Sequence, residues 1–190
     1  MKLKADCIGE IPERRQIANN VEVVTKRIGE YNRKEDLIVL EKLRDLCIRE
    51  KLTVETAKMH RNIGMYHFHT NNSTNAVTAM KLAIDLISRE NCFDHLIEYY
   101  SELGYIYYYN REYIHSKAYY EKAEELILQV SDIDRHVLFL HYYRYGMLLS
   151  SMQEYYCSEQ KFKNALIYSG DDKDTALIIM NIGLLYKRQK

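Results

Sequence analysis

Apolar residues recur along most of the chain at three- and four-residue intervals, and no stretch alternates strictly between apolar and polar. The first pattern marks helices with one buried face, whereas alternation would have marked strands. The chain therefore reads as all-α. Leu37, Leu40, Leu43 and Cys47 lie along one face of a helix over about residues 35–50. A first helix is expected over about residues 12–32, with Pro12, the single proline, at its start and Glu13 in its first turn. Further helices are expected over about 53–69, 73–89, 94–109, 112–130, 133–151, 153–168 and from 173 onward, about nine in all. Thr70-Asn71-Asn72-Ser73 breaks the periodicity with capping side chains. Ser131-Asp132 is expected to cap the seventh helix, and Ser169-Gly170-Asp171-Asp172 to stop the eighth and cap the ninth. Residues 1–11 read as a short lead-in.

One ruler fits several of these helices. From Gly104, Tyr100 stands at −4, Leu103 at −1, Tyr107 at +3, Tyr113 at +9, Ser116 at +12, Tyr120 at +16 and Ala123 at +19. Gly64 has His60, Ile63, His67, Ala76, Met80 and Ala83 at the matching offsets; Gly146 has Tyr142, Tyr145, Leu149, Tyr155, Ser158, Phe162 and Ala165. Gly183 has Ile179, Ile182 and Tyr186. Gly29 begins a weaker copy, with Glu41 and Asp45 where small and aromatic residues should be. Small residues at the glycine, +12 and +19 let two helices approach closely, and large ones between them fill the gaps.

This layout resembles the tetratricopeptide repeat, a helix–turn–helix unit. The glycines are 35, 40, 42 and 37 residues apart, longer than the family's 34, and the usual inter-repeat proline is missing. The resemblance implies an α-solenoid of about nine antiparallel helices in a right-handed superhelix, as one domain over residues 1–190. Its parts would be a degenerate first repeat (12–50), repeats at 53–89, 94–130 and 133–168, and an unpaired terminal helix (173–190). A terminal helix without a partner leaves apolar surface open, to be covered by more protein or by a second copy in a homodimer.

The resemblance also implies a concave groove lined by the first helix of each pair, at −6, −3, −2, +1, +4 and +5 from each glycine. The second unit contributes Lys58, Arg61, Asn62, Met65 and Phe68, and the third contributes Glu98, Glu102, Tyr105, Tyr108 and Tyr109. The fourth contributes Leu140, Tyr143, Arg144, Met147, Ser150 and Ser151, and the terminal helix Met180, Asn181, Leu184 and Lys187. Amides can pair with a peptide backbone, aromatics and methionine can take its side chains, and Arg61 or Arg144 can meet a carboxylate. The carboxylate clamp of the family's chaperone-binding members is not matched, because Met65 and Tyr105 stand where clamp asparagines would.

Charge and composition narrow the picture. Lysine plus arginine and aspartate plus glutamate are 27 each, so no basic excess points to a nucleic-acid surface. Cys7, Cys47, Cys92 and Cys157 form no close pair, as expected for free thiols in a reducing compartment. No apolar run reaches membrane-spanning length and the first residues lack a signal core, so a cytoplasmic protein is expected. His67 and His69 face different ways on a helix and cannot easily chelate one metal. No phosphate loop or nucleophile motif occurs. Neither a cofactor nor an enzyme activity is expected.

The long, tyrosine-rich repeats without proline resemble those of bacterial cytoplasmic peptide-pheromone receptors of the Rap, PlcR and NprR type. The resemblance implies a groove that takes a short peptide and alters a transcriptional partner or oligomeric state. Residues 1–50 lack a basic three-helix module, so direct DNA binding by this chain is not expected. The competing reading is a scaffold that binds a folded protein or itself.

Overall fold

The computed structural model describes residues 14–31 and 33–188. They are all-α, with nine α-helices, one short 3₁₀ turn and no strand among the described residues. The chain divides between Asn91 and Cys92 into two compact units.

The first unit holds α1 (Arg14–Lys26), α2 (Lys34–Arg49), α3 (Thr53–His69) and α4 (Ser73–Ser88). Its core gathers Ile17, Val21 and Val24 of α1, Leu40, Leu46 and Cys47 of α2, Met59, Ile63 and Tyr66 of α3, and Ala79 of α4. Burial pushes the Cys47 thiol up to about 11, so it is an inert packing group. The expected single first helix is shorter than its pattern. It ends at Lys26, and a 3₁₀ turn, Ile28–Glu30, follows. Gly29 lies in that turn with open space around it. It is therefore not a helix-packing glycine, and the weak first copy of the ruler is corrected at that point. The lead-in and the expected start at Pro12 lie outside the described residues.

The second unit holds α5 (Phe93–Tyr109), α6 (Tyr113–Ile127), α7 (Arg135–Ser151), α8 (Tyr155–Tyr168) and α9 (Asp172–Arg188). One core cluster joins Phe139, Phe162, Ala165, Ile178 and Leu185; another joins Tyr120, Tyr145, Leu148 and Leu149. The cap of α7 is Asp134 rather than Ser131-Asp132, because the Asp134 Oδ1 accepts from the His136 and Val137 N–H groups at 2.7 and 3.3 Å. The cap of α9 is as expected: Asp171 Oδ1 accepts from Asp174 N–H at 2.8 Å.

Three hairpins, α3–α4, α5–α6 and α7–α8, share one joint. A β-carbon added at Gly64 would lie 2.9 Å from Met80 Cγ, at Gly104 3.1 Å from Tyr120 Cε2, and at Gly146 2.8 Å from Phe162 Cδ1. A β-carbon at any of the three would have to push the facing side chain back from the helix backbone. The Ser116 and Ser158 hydroxyls donate to the carbonyls of Gly104 and Gly146, both at 2.7 Å. Each of these hairpins turns through one residue in the left-handed region: Asn71 (φ 59), Arg111 (φ 62) and Gln153 (φ 65). The next N–H reaches back into the last helical turn, as Glu154 does to Leu149 O at 2.9 Å and Gln153 to Ser150 O at 3.1 Å. This is the Schellman closure, made here without glycine.

Candidate functional site

Within the second unit, α5, α7 and α9 present a run of tyrosines, serines and cations. Tyr105 and Tyr109 are one helical turn apart, so their rings meet edge to face at 4.8 Å, and the Tyr105 hydroxyl donates to that of Tyr109 at 3.1 Å. Burial, then this hydrogen bond, pushes the Tyr105 hydroxyl well above its ordinary range, so it stays protonated. The Arg144 guanidinium of α7 lies 4.3 Å above the Tyr105 ring centre. Arg144 is half-buried and has no ion-pair partner among the described residues. The ring holds the cation by its π-face and leaves the guanidinium edges for a carboxylate.

Tyr108 stands beside this pair, and the Ser151 hydroxyl reaches its phenol oxygen at 3.4 Å. Tyr143 stacks on Phe139, with centroids 5.9 Å apart. Asn181 of α9 donates to the Tyr143 hydroxyl at 3.3 Å and to Leu177 O at 2.8 Å. The Arg188 Nη1 donates to the Ser150 hydroxyl at 3.1 Å, and Met147 packs half-buried among these groups. Of the residues the repeat offsets select, Tyr105, Tyr108, Tyr109, Tyr143, Arg144, Met147 and Asn181 share this unit. Ser150 and Ser151, at +4 and +5 from Gly146, and Arg188, at +5 from Gly183, fall at the same offsets and join them through these contacts.

The remaining selections differ. Glu98 is half-buried and Glu102 is only 5% exposed on α5. In the first unit, Lys58 and Phe68 are half-buried, while Met65 and Arg61 are buried and Asn62 is fully so. The Asn62 amide is already engaged: Nδ2 donates to Thr25 Oγ1 at 2.8 Å, and Oδ1 accepts from Arg61 Nη1 at 3.2 Å. Asn62 thus ties α3 to α1, a packing contact where the offsets had placed an open ligand donor.

A second polar cluster lies inside this unit. His141 of α7 is fully buried, with Nδ1 2.8 Å from the Ser101 hydroxyl of α5. Ser101 gives its own proton to Ile97 O at 2.8 Å, so the imidazole carries its hydrogen on Nδ1 and donates to the serine. His141 Nε2 has no hydrogen-bond partner. It lies 3.9 Å from Glu124 Oε1, too far for a hydrogen bond. Glu124 is instead bonded by Lys161 of α8. Burial lowers the affinity of His141 for a second proton, against the opposing pull of the Glu124 carboxylate. Burial works against the Glu124 charge too, but the Lys161 ammonium bonded to it holds its carboxyl below its ordinary range. Neither Ser101 nor His141 is open to solvent, so this set joins helices and offers no substrate access.

Comparison with known proteins adds no family. No family model matches this chain, and no curated protein matches it. No helix among the described residues is long and apolar enough to cross a membrane.

Proposed function

We propose that the α5–α7–α9 face of the second unit binds a short peptide or extended segment, with Arg144 receiving its carboxylate. The observation that carries this reading is the half-buried Arg144 cation, laid on Tyr105 and lacking an ion-pair partner among the described residues. Burying a charge is costly unless a counter-charge compensates, and a ligand carboxylate supplies one. The phenols of Tyr108 and Tyr143 and the Asn181 amide add hydrogen-bonding groups along the strip.

By its resemblance to tetratricopeptide receptors, the chain would be the sensory part of a cytoplasmic, peptide-responsive bacterial regulator. The role is recognition and not catalysis. Pooled short synthetic peptides, with free or amidated C-termini, test it by fluorescence polarisation. Binding of free-acid peptides, reduced at least about tenfold by Arg144→Ala with an unchanged melting temperature, is expected. Equal binding of acid and amide forms would overturn the carboxylate assignment.

A second reading, a protein-interaction scaffold or self-associating dimer working through α9, has its own support. Ile179, Met180, Leu184 and Tyr186 are 58%, 56%, 44% and 49% exposed on this one helix.

A further inference from the structure

The three closed hairpins define what the glycine face of a first helix is built to hold. In each, a small residue lies twelve positions past the glycine, and four positions further a large side chain sits on the glycine itself: Ala76 and Met80, Ser116 and Tyr120, Ser158 and Phe162. Three positions on, Ala83, Ala123 and Ala165 are all fully buried. Helix α9 repeats the first-helix half of this joint. Ile178 and Leu185 are buried as His141 and Leu148 are at the same offsets on α7.

The other face differs. A β-carbon added at Gly183 would meet nothing within 4 Å. Leu149, three residues after Gly146, is 2% exposed, whereas Tyr186, three residues after Gly183, is 49% exposed. An open glycine in mid-helix is less favourable than alanine and returns nothing unless something packs there.

We propose that the Gly183 face of α9 is the docking site for one amphipathic helix of a partner protein, seated as α8 is seated on α7. This sharpens the scaffold reading and does not depend on the peptide strip, which uses Asn181 on another side of α9. The occupant is defined by the joints already closed. It carries a small residue over the Gly183 carbonyl, a Met, Tyr or Phe four residues later in the notch, and an alanine three residues after that.

The flank of α8 sets its charges, by continuity with the way α6 meets α8. There, Lys117 donates to Glu154 at 2.7 Å and Glu124 pairs with Lys161. On α8, Glu159 stands at the offset of Lys117 and Leu166 at that of Glu124. Glu159 is an anion, held at present by Lys163 and the Tyr186 hydroxyl, both at 2.8 Å. Leu166 is 39% exposed. The docked helix therefore brings a lysine or arginine four residues before its small residue, and an apolar residue three after it.

The probe is a labelled synthetic peptide copying residues 153–169 with Cys157→Ser, Glu154→Lys and Lys161→Leu. Fluorescence anisotropy against the full chain is expected to show saturable binding, weakened at least about tenfold by Phe162→Ala in the peptide or by Gly183→Leu in the protein. The Gly183→Leu protein should melt at or slightly above the wild-type temperature, since that position is open and leucine is the better helix former. A peptide keeping Glu154 and Lys161 should bind more weakly. No saturable binding, or binding that Gly183→Leu leaves unchanged, would overturn the notch. Loss with Met180→Asp and Leu184→Asp alone would then move the contact to the adjacent face of α9 and leave the scaffold reading standing. Sedimentation of the chain alone supplies the remaining outcome: a dimer that Gly183→Leu dissociates would make a second copy the occupant and overturn the foreign helix.

Discussion

Gly146 and Gly183 occupy the same place in the same pattern, yet one is sealed and the other open. Phe162 lies on Gly146 so closely that a β-carbon there would sit 2.8 Å from the ring, while Gly183 has nothing within 4 Å. The residues around them are of one kind: Tyr142, Tyr145 and Leu149 in the first case, Ile179, Ile182 and Tyr186 in the second. What separates the two is the presence of a second helix. A glycine in this pattern is therefore a statement about a neighbour, and it has an energetic meaning only where that neighbour exists.

The largest expected effect is a difference in sign. Gly146→Ala forces the Phe162 ring away from a tight backbone contact and should destabilise by about 2 kcal/mol, as overpacked cores do. Gly183→Ala adds a good helix former in open space and should stabilise by about 0.5–1 kcal/mol. Chemical denaturation of both variants checks this. A stabilising Gly146→Ala would mean that Phe162 retreats freely and that the joint is not tight. Gly64→Ala should fall between the two, because the nearest atoms, Met80 Cγ and Sδ at 2.9 and 3.0 Å, belong to an unbranched side chain, while the Ala76 carbonyl at 3.3 Å limits how far the helices can adjust.

The buried faces of α7 and α9 sharpen the same contrast through pH. At the offset where α9 carries Ile178, α7 carries His141, and both are fully buried. Burial holds the His141 pKa below its ordinary 6.5, while the unfolded chain protonates near that value. Below about pH 6.5 the unfolded state thus binds the extra proton, and stability falls as pH drops toward the folded-state value; above it the full stability is present. Glu124 and Lys161 are the charged groups that face the imidazole, and Tyr120, Tyr142 and Tyr145 pack around it. His60 and His67 in the first unit are lowered by burial as well and slope in the same direction. His141→Leu should flatten the decline of melting temperature between about pH 7 and 5 without abolishing it. An unchanged slope would assign the acid sensitivity elsewhere.

Much of this architecture was legible because it rests on local spacing. The glycine offsets located three hairpins to within a few residues, since a close helix crossing demands small residues at fixed intervals. Gly29 misled because the same letter serves a 3₁₀ turn equally well. Depth was not legible. Asn62, Glu102, Arg144 and Asn181 all lie two residues before a repeat glycine. Asn62 is fully buried and Glu102 nearly so, while Arg144 and Asn181 are half-buried. Helical phase sets the direction of a side chain, but the surrounding chain decides what covers it. Asn62→Ala is therefore a stability variant, breaking a contact to Thr25, and not a clean probe of ligand binding. The α7 cap was misplaced for a related reason: Ser131 and Asp132 have capping side chains just as Asp134 does, and only the point where the helix starts selects among them.

The turns carry the smallest effect and the finest test of closed against open joints. Within the hairpin α7–α8, Gln153 holds φ 65 so that the chain can reverse at once and bring Phe162 onto Gly146. A side chain in this region costs about 1–2 kcal/mol, which glycine avoids. Between α8 and α9 the chain leaves by an extended residue instead, Ser169 with ψ 135, and no described glycine has positive φ. The glycine thus stands where it is not required, and the turn that could use one has glutamine. Gln153→Gly should stabilise by about 0.5 kcal/mol after the added flexibility of the unfolded chain is subtracted. Gly170→Ala should be neutral to slightly stabilising, because its nearest contact, Asp174 Oδ2 at 3.7 Å, is an ordinary one. Equilibrium unfolding of the two variants, referred to wild type, resolves this. If Gln153→Gly destabilises, the glutamine side chain is holding the reversal, and the close joint at Gly146 depends on the turn as well as on the packing of Phe162.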